Sequence, residues 1–145
     1  MHYLNISFTH KNSSIEIREK LSYPNDSDMH GCLKKLTASD AINEAILIST
    51  CNRMEVLCSC NDIEGASKYI FSILSQRAGI SEPELKVHAD VFDDSSAIHH
   101  VFSVASSLDS MVIGETQIAG QLKDAFRFSH DNEYCGKKLA RTMKS

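Results

Sequence analysis

The stretch AILISTCNRMEVLCSC, residues 45–60, constrains the fold more than any other part of the chain. It carries an unbroken apolar run inside a strand-like segment at 43–50, and MEVLCSC at 54–60 reads as a second strand. A strand without polar alternation has no solvent face, so the spacing predicts a central position in a sheet covered on both sides. Between the two strands the backbone must turn a corner near Cys51, and side chains at such corners stand on a rigid scaffold where function concentrates. Asn52 suits the backbone angles of a tight turn.

The flanking segments supply the other layer. YLNISF at 3–8 alternates apolar and polar residues, as a half-buried strand does. IEIREKL at 15–21 reads as a short helix, Tyr23-Pro24-Asn25-Asp26 as a turn, and helical spacing returns around Cys32, Leu33 and Leu36. IEGASKYIFSILSQRA at 63–78 has the pattern of an amphipathic helix closed by Gly79. KVHADVF at 86–92 reads as a fourth strand, followed by helices at 95–108 and 115–130. The order β-α-β-β-α-β-α-α predicts an α+β fold: a ferredoxin-like split βαβ sandwich with additional C-terminal helices.

The length of 145 residues fits a single domain spanning 1–145. Its end, KKLARTMKS, holds Lys137, Lys138, Arg141 and Lys144 with no acid and no Gly or Pro to stop a helix. The expectation is therefore that residues from about 135 begin a linker helix cut short. A net charge of −4 argues against wholesale nucleic-acid binding. No run approaches the roughly 18–20 apolar residues of a membrane helix, and MHYLNISFTHK lacks the basic and apolar parts of a secretory signal. With an odd count of 5 Cys, the reading is a cytoplasmic protein with free thiols.

Three of those cysteines crowd residues 51–60. Cys58 and Cys60 are one residue apart, closer than the spacing of two to four in structural zinc sites, and on a strand they share the face of Met54 and Val56. They read as small buried hydrophobes, and none of the 7 His forms an i, i+4 pair, so no metal is expected. Cys51 differs: it lies at the corner, with the permanent cation of Arg53 two positions on, a neighbour that stabilises a thiolate. Residue chemistry alone leaves two readings open, a reactive thiol or an inert core cysteine.

In the segment 95–108, Ile98, Val101, Phe102 and Ala105 define an apolar helix face. His100 points away from them, in a stripe with Ser96, Ser103 and Ser107. It is either a plain exposed residue or an acid/base group facing a cleft, with His99 the weaker candidate. In 107–126, Ile118, Leu122 and Phe126 stack as core, while Gln117, Gln121 and Asp124 fall on another face. Gly114 relaxes the backbone just ahead, and Glu115 occupies a first turn where the helix dipole favours an acid. An ordinary capped amphipathic helix accounts for this equally well.

These stretches together resemble one family. FTHKNSSIEIREKL at 8–21, LISTCNRMEVL at 47–57 and VASSLDSMVIGETQIAGQLKDAF at 104–126 are similar to the N-terminal catalytic domain of glutamyl-tRNA reductases. The resemblance implies that Cys51 is the nucleophile attacking the ester between glutamate and the tRNA, and that the resulting thioester is reduced to glutamate-1-semialdehyde, the first step of the five-carbon route to tetrapyrroles. It implies an acid/base or orienting role for His100 and substrate contacts for Thr50, Asn52 and Arg53. Ser110, Glu115, Thr116, Gln117 and Gln121 fall on the family's glutamate-recognition positions; the family commonly has Pro where Thr116 stands.

NADPH is the cofactor the resemblance implies, bound by a Rossmann-type domain for which this chain has no G-x-G-x-x-G. The implied partners are glutamyl-tRNA, a second copy in a full-length homodimer, and the downstream aminomutase. The chemistry is coherent, since a thioester carbonyl is more electrophilic than an oxoester and covalent capture divides one hard step into two. The alternatives are a Cys–His esterase or amidase using Cys51 and His100, and a non-catalytic ferredoxin-like RNA-binding or regulatory module. Against the second, strand 54–60 offers none of the exposed aromatics such modules carry on the sheet.

Overall fold

The computed structural model describes residues 2–49, 52–94, 96, 97 and 100. Their order is β1 (His2–Thr9), α1 (Ile15–Leu21), α2 (Asp26–Thr37), β2 (Ile42–Ser49), β3 (Arg53–Cys60), α3 (Ile63–Ala78), α4 (Glu82–Val87) and β4 (Asp90–Asp93). The strands form one four-stranded sheet in the order β2-β3-β1-β4. Every neighbouring pair is antiparallel. The helices predicted at 95–108 and 115–130 and the expected linker from about 135 lie mostly or wholly outside the described residues.

Alternation along β1 sends Leu4, Ile6 and Phe8 to one face, where they join Ala45 and Leu47 of β2 and Met54, Val56, Cys58 and Cys60 of β3. Helices α1, α2, α3 and α4 add Leu21, Leu33, Leu36, Ile70, Phe71, Leu74 and Leu85 to the same cluster. This is the hydrophobic core. Each helix is started by a side chain that accepts from the backbone of its first turn: Ser14, Asn25, Asp62 and Ser81. Gly79 ends α3 in the left-handed region, at φ 69°, and its N–H bonds the Ser75 carbonyl.

Two expectations are corrected. Strand β2 lies at one edge of the described sheet, beside β3 alone. Its apolar run is nonetheless covered on both faces, with Ala45 and Leu47 on one and Ile46 and Ile48 on the other, all buried. An apolar run therefore reports covered faces and says nothing about strand neighbours. The second correction concerns 86–92, where only its last three residues, from Asp90, belong to β4. Residues 82–87 are helical because Ser81 caps the segment, Pro83 sits in the first turn and Leu85 anchors it in the core.

The other face of the sheet is buried too, yet along β1 and over much of β3 it is polar. Asn5, Ser7, Glu55 and Ser59 are each no more than 2% exposed. Ser59 Oγ donates to Glu44 Oε1 at 2.9 Å on this face. Asn12 ties the turn after β1 to the strand beyond it, donating from Nδ2 to the Ser7 carbonyl and to Asp90 Oδ2.

Candidate active site

The site is built around Glu55, a carboxylate on the polar face of β3. Arg53, two residues earlier, points to the same face because strand side chains alternate. Its Nη1 donates to Glu55 Oε2 at 2.7 Å. His100 approaches from the far end of the described chain and places Nε2 3.1 Å from Glu55 Oε1. Its ring also stacks on Phe92 of β4, with centroids 4.3 Å apart and planes 13° from parallel.

The register shows how one histidine reaches both. Glu55 lies opposite Ser7 on β1, and Phe92 lies opposite Asn5 on the other edge of β1. His100 therefore bridges β3 and β4 across the central strand, over the short side chains of Asn5 and Ser7. Side-chain exposures of 13% for Arg53, 3% for Glu55 and 22% for His100 grade outward from a buried acid between two partly accessible bases.

Burial alone pushes the Glu55 carboxyl up, but the His100 hydrogen bond and the Arg53 guanidinium outweigh it and hold the group below its ordinary value. Glu55 is thus an anion at neutral pH, able only to accept hydrogen bonds. That fixes the histidine: Nε2 must carry the proton it donates to Glu55, which leaves Nδ1 of the neutral ring as the basic nitrogen. The carboxylate also anchors one edge of the Arg53 fork.

Of the residues singled out in sequence, the structure brings Arg53 and His100 together through Glu55. Asn52 stands exposed at the bend before β3. Thr50, Cys51, Ser110, Glu115, Thr116, Gln117 and Gln121 lie outside the described residues. Cys58 and Cys60 are fully buried in the core with Met54 and Val56, as the alternation predicts. The Cys58 thiol donates to Cys60 and is buried, both of which push its pKa up. Burial pushes the Cys32 thiol up as well. Neither is a thiolate nucleophile at neutral pH.

Glu55 and Phe92 were not among the predicted residues. The available signal for Glu55 was R-x-E on a strand otherwise made of Met, Val, Leu, Cys and Ser, where a lone acid needs a partner. Among the described residues no three His, Cys, Asp or Glu side chains are grouped to hold a metal. Nor is any described helix long and apolar enough to cross a membrane.

Comparison with known proteins gives the chain a family. The model described as "Glutamyl-tRNAGlu reductase, N-terminal domain" matches residues 6–145. The chain belongs to the glutamyl-tRNA reductase family. It corresponds to that family's N-terminal domain. The glutamyl-tRNA reductase of Sulfurimonas denitrificans is 70% identical over 143 residues, covering 99% of this chain and 33% of that protein. The glutamyl-tRNA reductase of Campylobacter curvus is 51% identical over the same share of each. Among solved structures, the glutamyl-tRNA reductase from Methanopyrus kandleri superposes with a TM-score of 0.68 at 26% identity, covering 98% of this chain and 31% of that one. The chain thus spans about a third of the length of the family members it matches.

Proposed function

We propose that this domain performs the acyl-capture half of glutamyl-tRNA reduction. In this reading the Cys51 thiolate attacks the ester carbonyl carbon, and a carbon–sulfur bond forms as the bond to the tRNA ribose oxygen breaks. Nδ1 of the neutral His100 ring takes the Cys51 thiol proton as the thiolate forms, and the departing oxygen leaves with that proton. The product is a glutamyl thioester on Cys51 and a free tRNA 3′ end. The observation that carries the reading is the Arg53–Glu55–His100 constellation, which begins two residues after Cys51 and fixes the orientation of an acid/base group.

Glu55 serves as the positioning residue, setting the His100 ring and one edge of Arg53. Arg53 supplies a guanidinium, whose planar fork geometry suits the carboxylate of a glutamyl group. Thr50, Asn52, Ser110, Glu115, Thr116, Gln117 and Gln121 are assigned to holding that group, on the strength of the family match. The strand order β2-β3-β1-β4, with the described helices on one face, supports classing the domain as ferredoxin-like.

The described residues do not fit a dinucleotide. Each described helix N-terminus is closed by its own side-chain cap, and the sheet is antiparallel throughout, without the parallel switch point such cofactors use. Reduction of the thioester by NADPH is therefore assigned to a part of the full-length protein other than the described residues.

The test is to incubate the chain with glutamyl-tRNA and no NADPH, then analyse it by mass spectrometry. A glutamyl adduct on the peptide containing Cys51, absent from Cys51→Ser, is the expected result. An unmodified Cys51 in a folded chain, with no release of glutamate, would overturn the proposal.

A further inference from the structure

A second concave feature lies on the helix-covered side of the sheet, away from Glu55. It is a cavity of about 390 Å³ between α2 and α3, within the range that holds small ligands. Its floor is apolar, made by the Tyr23 ring, Cys32 and Ile73. Its rim is polar, with Asp28 and Lys35 on α2 and Gln76 and Arg77 on α3.

The charges on that rim do not cancel. Arg77 is held in place by donating Nε and Nη2 to the Ser22 carbonyl, stacking its guanidinium 4.5 Å over Tyr23, and pairing with Asp28 Oδ2 at 3.3 Å. Asp28 is thereby matched. The Lys35 ammonium is matched by no acid among the described residues, so one positive charge is left at the mouth of an apolar floor.

Gly31 supplies an independent observation. It lines the cavity from inside α2, where a glycine weakens the helix relative to alanine. Crowding does not demand it, because a Cβ built there would meet nothing within 4 Å. A longer side chain at this position would extend into the open space of the cavity.

We propose that this cavity binds a small carboxylate with an apolar body, its charge toward Lys35 and its body on Tyr23, Cys32 and Ile73. The probe is benzoate, with benzamide as its uncharged counterpart and inorganic phosphate as an anion lacking the apolar body. Each is titrated into the isotope-labelled chain and followed by amide NMR shifts.

Benzoate should give saturating shifts at Gly31, Cys32 and Gln76. Benzamide and phosphate should bind at least about tenfold more weakly, the scale of one charge-assisted contact or of the buried apolar surface. Lys35→Gln should weaken benzoate by a similar factor. Gly31→Leu should abolish binding while raising the thermal midpoint or leaving it unchanged. Should Gly31→Leu fail to fold, Lys35→Gln decides alone, since that side chain is exposed. Non-saturating shifts, equal binding of benzamide or phosphate, full binding by Lys35→Gln, or retained binding in a folded Gly31→Leu each overturn the proposal.

Discussion

Replacing Glu55 by glutamine keeps the shape of the side chain and removes its charge. In the folded chain the carboxylate accepts from Arg53 at 2.7 Å and from His100 at 3.1 Å while almost wholly buried. Breaking a buried ion pair from one side costs about 3–5 kcal/mol. The amide oxygen restores one neutral acceptor, worth about 1 kcal/mol. The expected loss for Glu55→Gln is therefore about 2–4 kcal/mol, or roughly 4–16 °C in thermal midpoint for a chain of this size.

The amide also has a direction. Its oxygen must face Arg53, which only donates, so its NH₂ faces His100 and the ring must accept at Nε2. The proton then moves to Nδ1. Urea unfolding measures the stability loss, and imidazole ¹⁵N shifts read the tautomer.

The pH dependence has a definite sign. A carboxyl whose folded pKa is depressed contributes stability above its unfolded pKa of about 4.3, and that contribution disappears as pH falls through the folded value. Wild type should lose stability on acidification below that point more steeply than Glu55→Gln. A variant within about 0.5 kcal/mol of wild type at neutral pH, with the same acid slope and the same histidine tautomer, would refute the reasoning.

Phe92→Ala removes the platform under His100; a stacked ring pair is worth about 0.5–1.5 kcal/mol. Acylation of Cys51 should slow by roughly 2- to 12-fold, with a shifted pH profile and no loss of tRNA affinity, measured by single-turnover adduct formation. Gly79→Ala forces a side chain into the left-handed region that ends α3 and should cost about 1 kcal/mol in urea unfolding. Cys58→Ala should destabilise the core by roughly 1 kcal/mol for the lost sulfur contacts yet leave the glutamyl adduct on Cys51 intact; loss of the adduct in a folded variant would mean that the wrong thiol has been assigned.

Much of the architecture was legible because amphipathic periodicity is a local signal. β1, α1, α2, β3 and α3 all follow apolar spacings visible within a single segment, and Gly79 marked the end of α3 correctly. β2 was misplaced within the sheet because strand order is decided by pairing partners far along the chain. The α4–β4 boundary is not visible in KVHADVF alone, because Ser81 and Pro83, which start the helix, lie just before it. At the site, Arg53 and His100 stand out by chemistry, whereas Glu55 offers only the R-x-E hint on an otherwise uncharged strand. Its role depends on His100, 45 residues away, and no periodicity encodes that contact.

The bridge that His100 makes over β1 also bears on how the chain acquires its geometry. Arg53 and Glu55 come from the middle of the described segment, Phe92 from its last strand, and His100 from beyond it. No single hairpin or helical fragment contains the set, so the arrangement is a product of the completed sheet and reports on closure of its outermost strand. Detaching β4 should disperse the constellation even while the helix-packed core stays intact, and the tautomeric state of one imidazole would register the event.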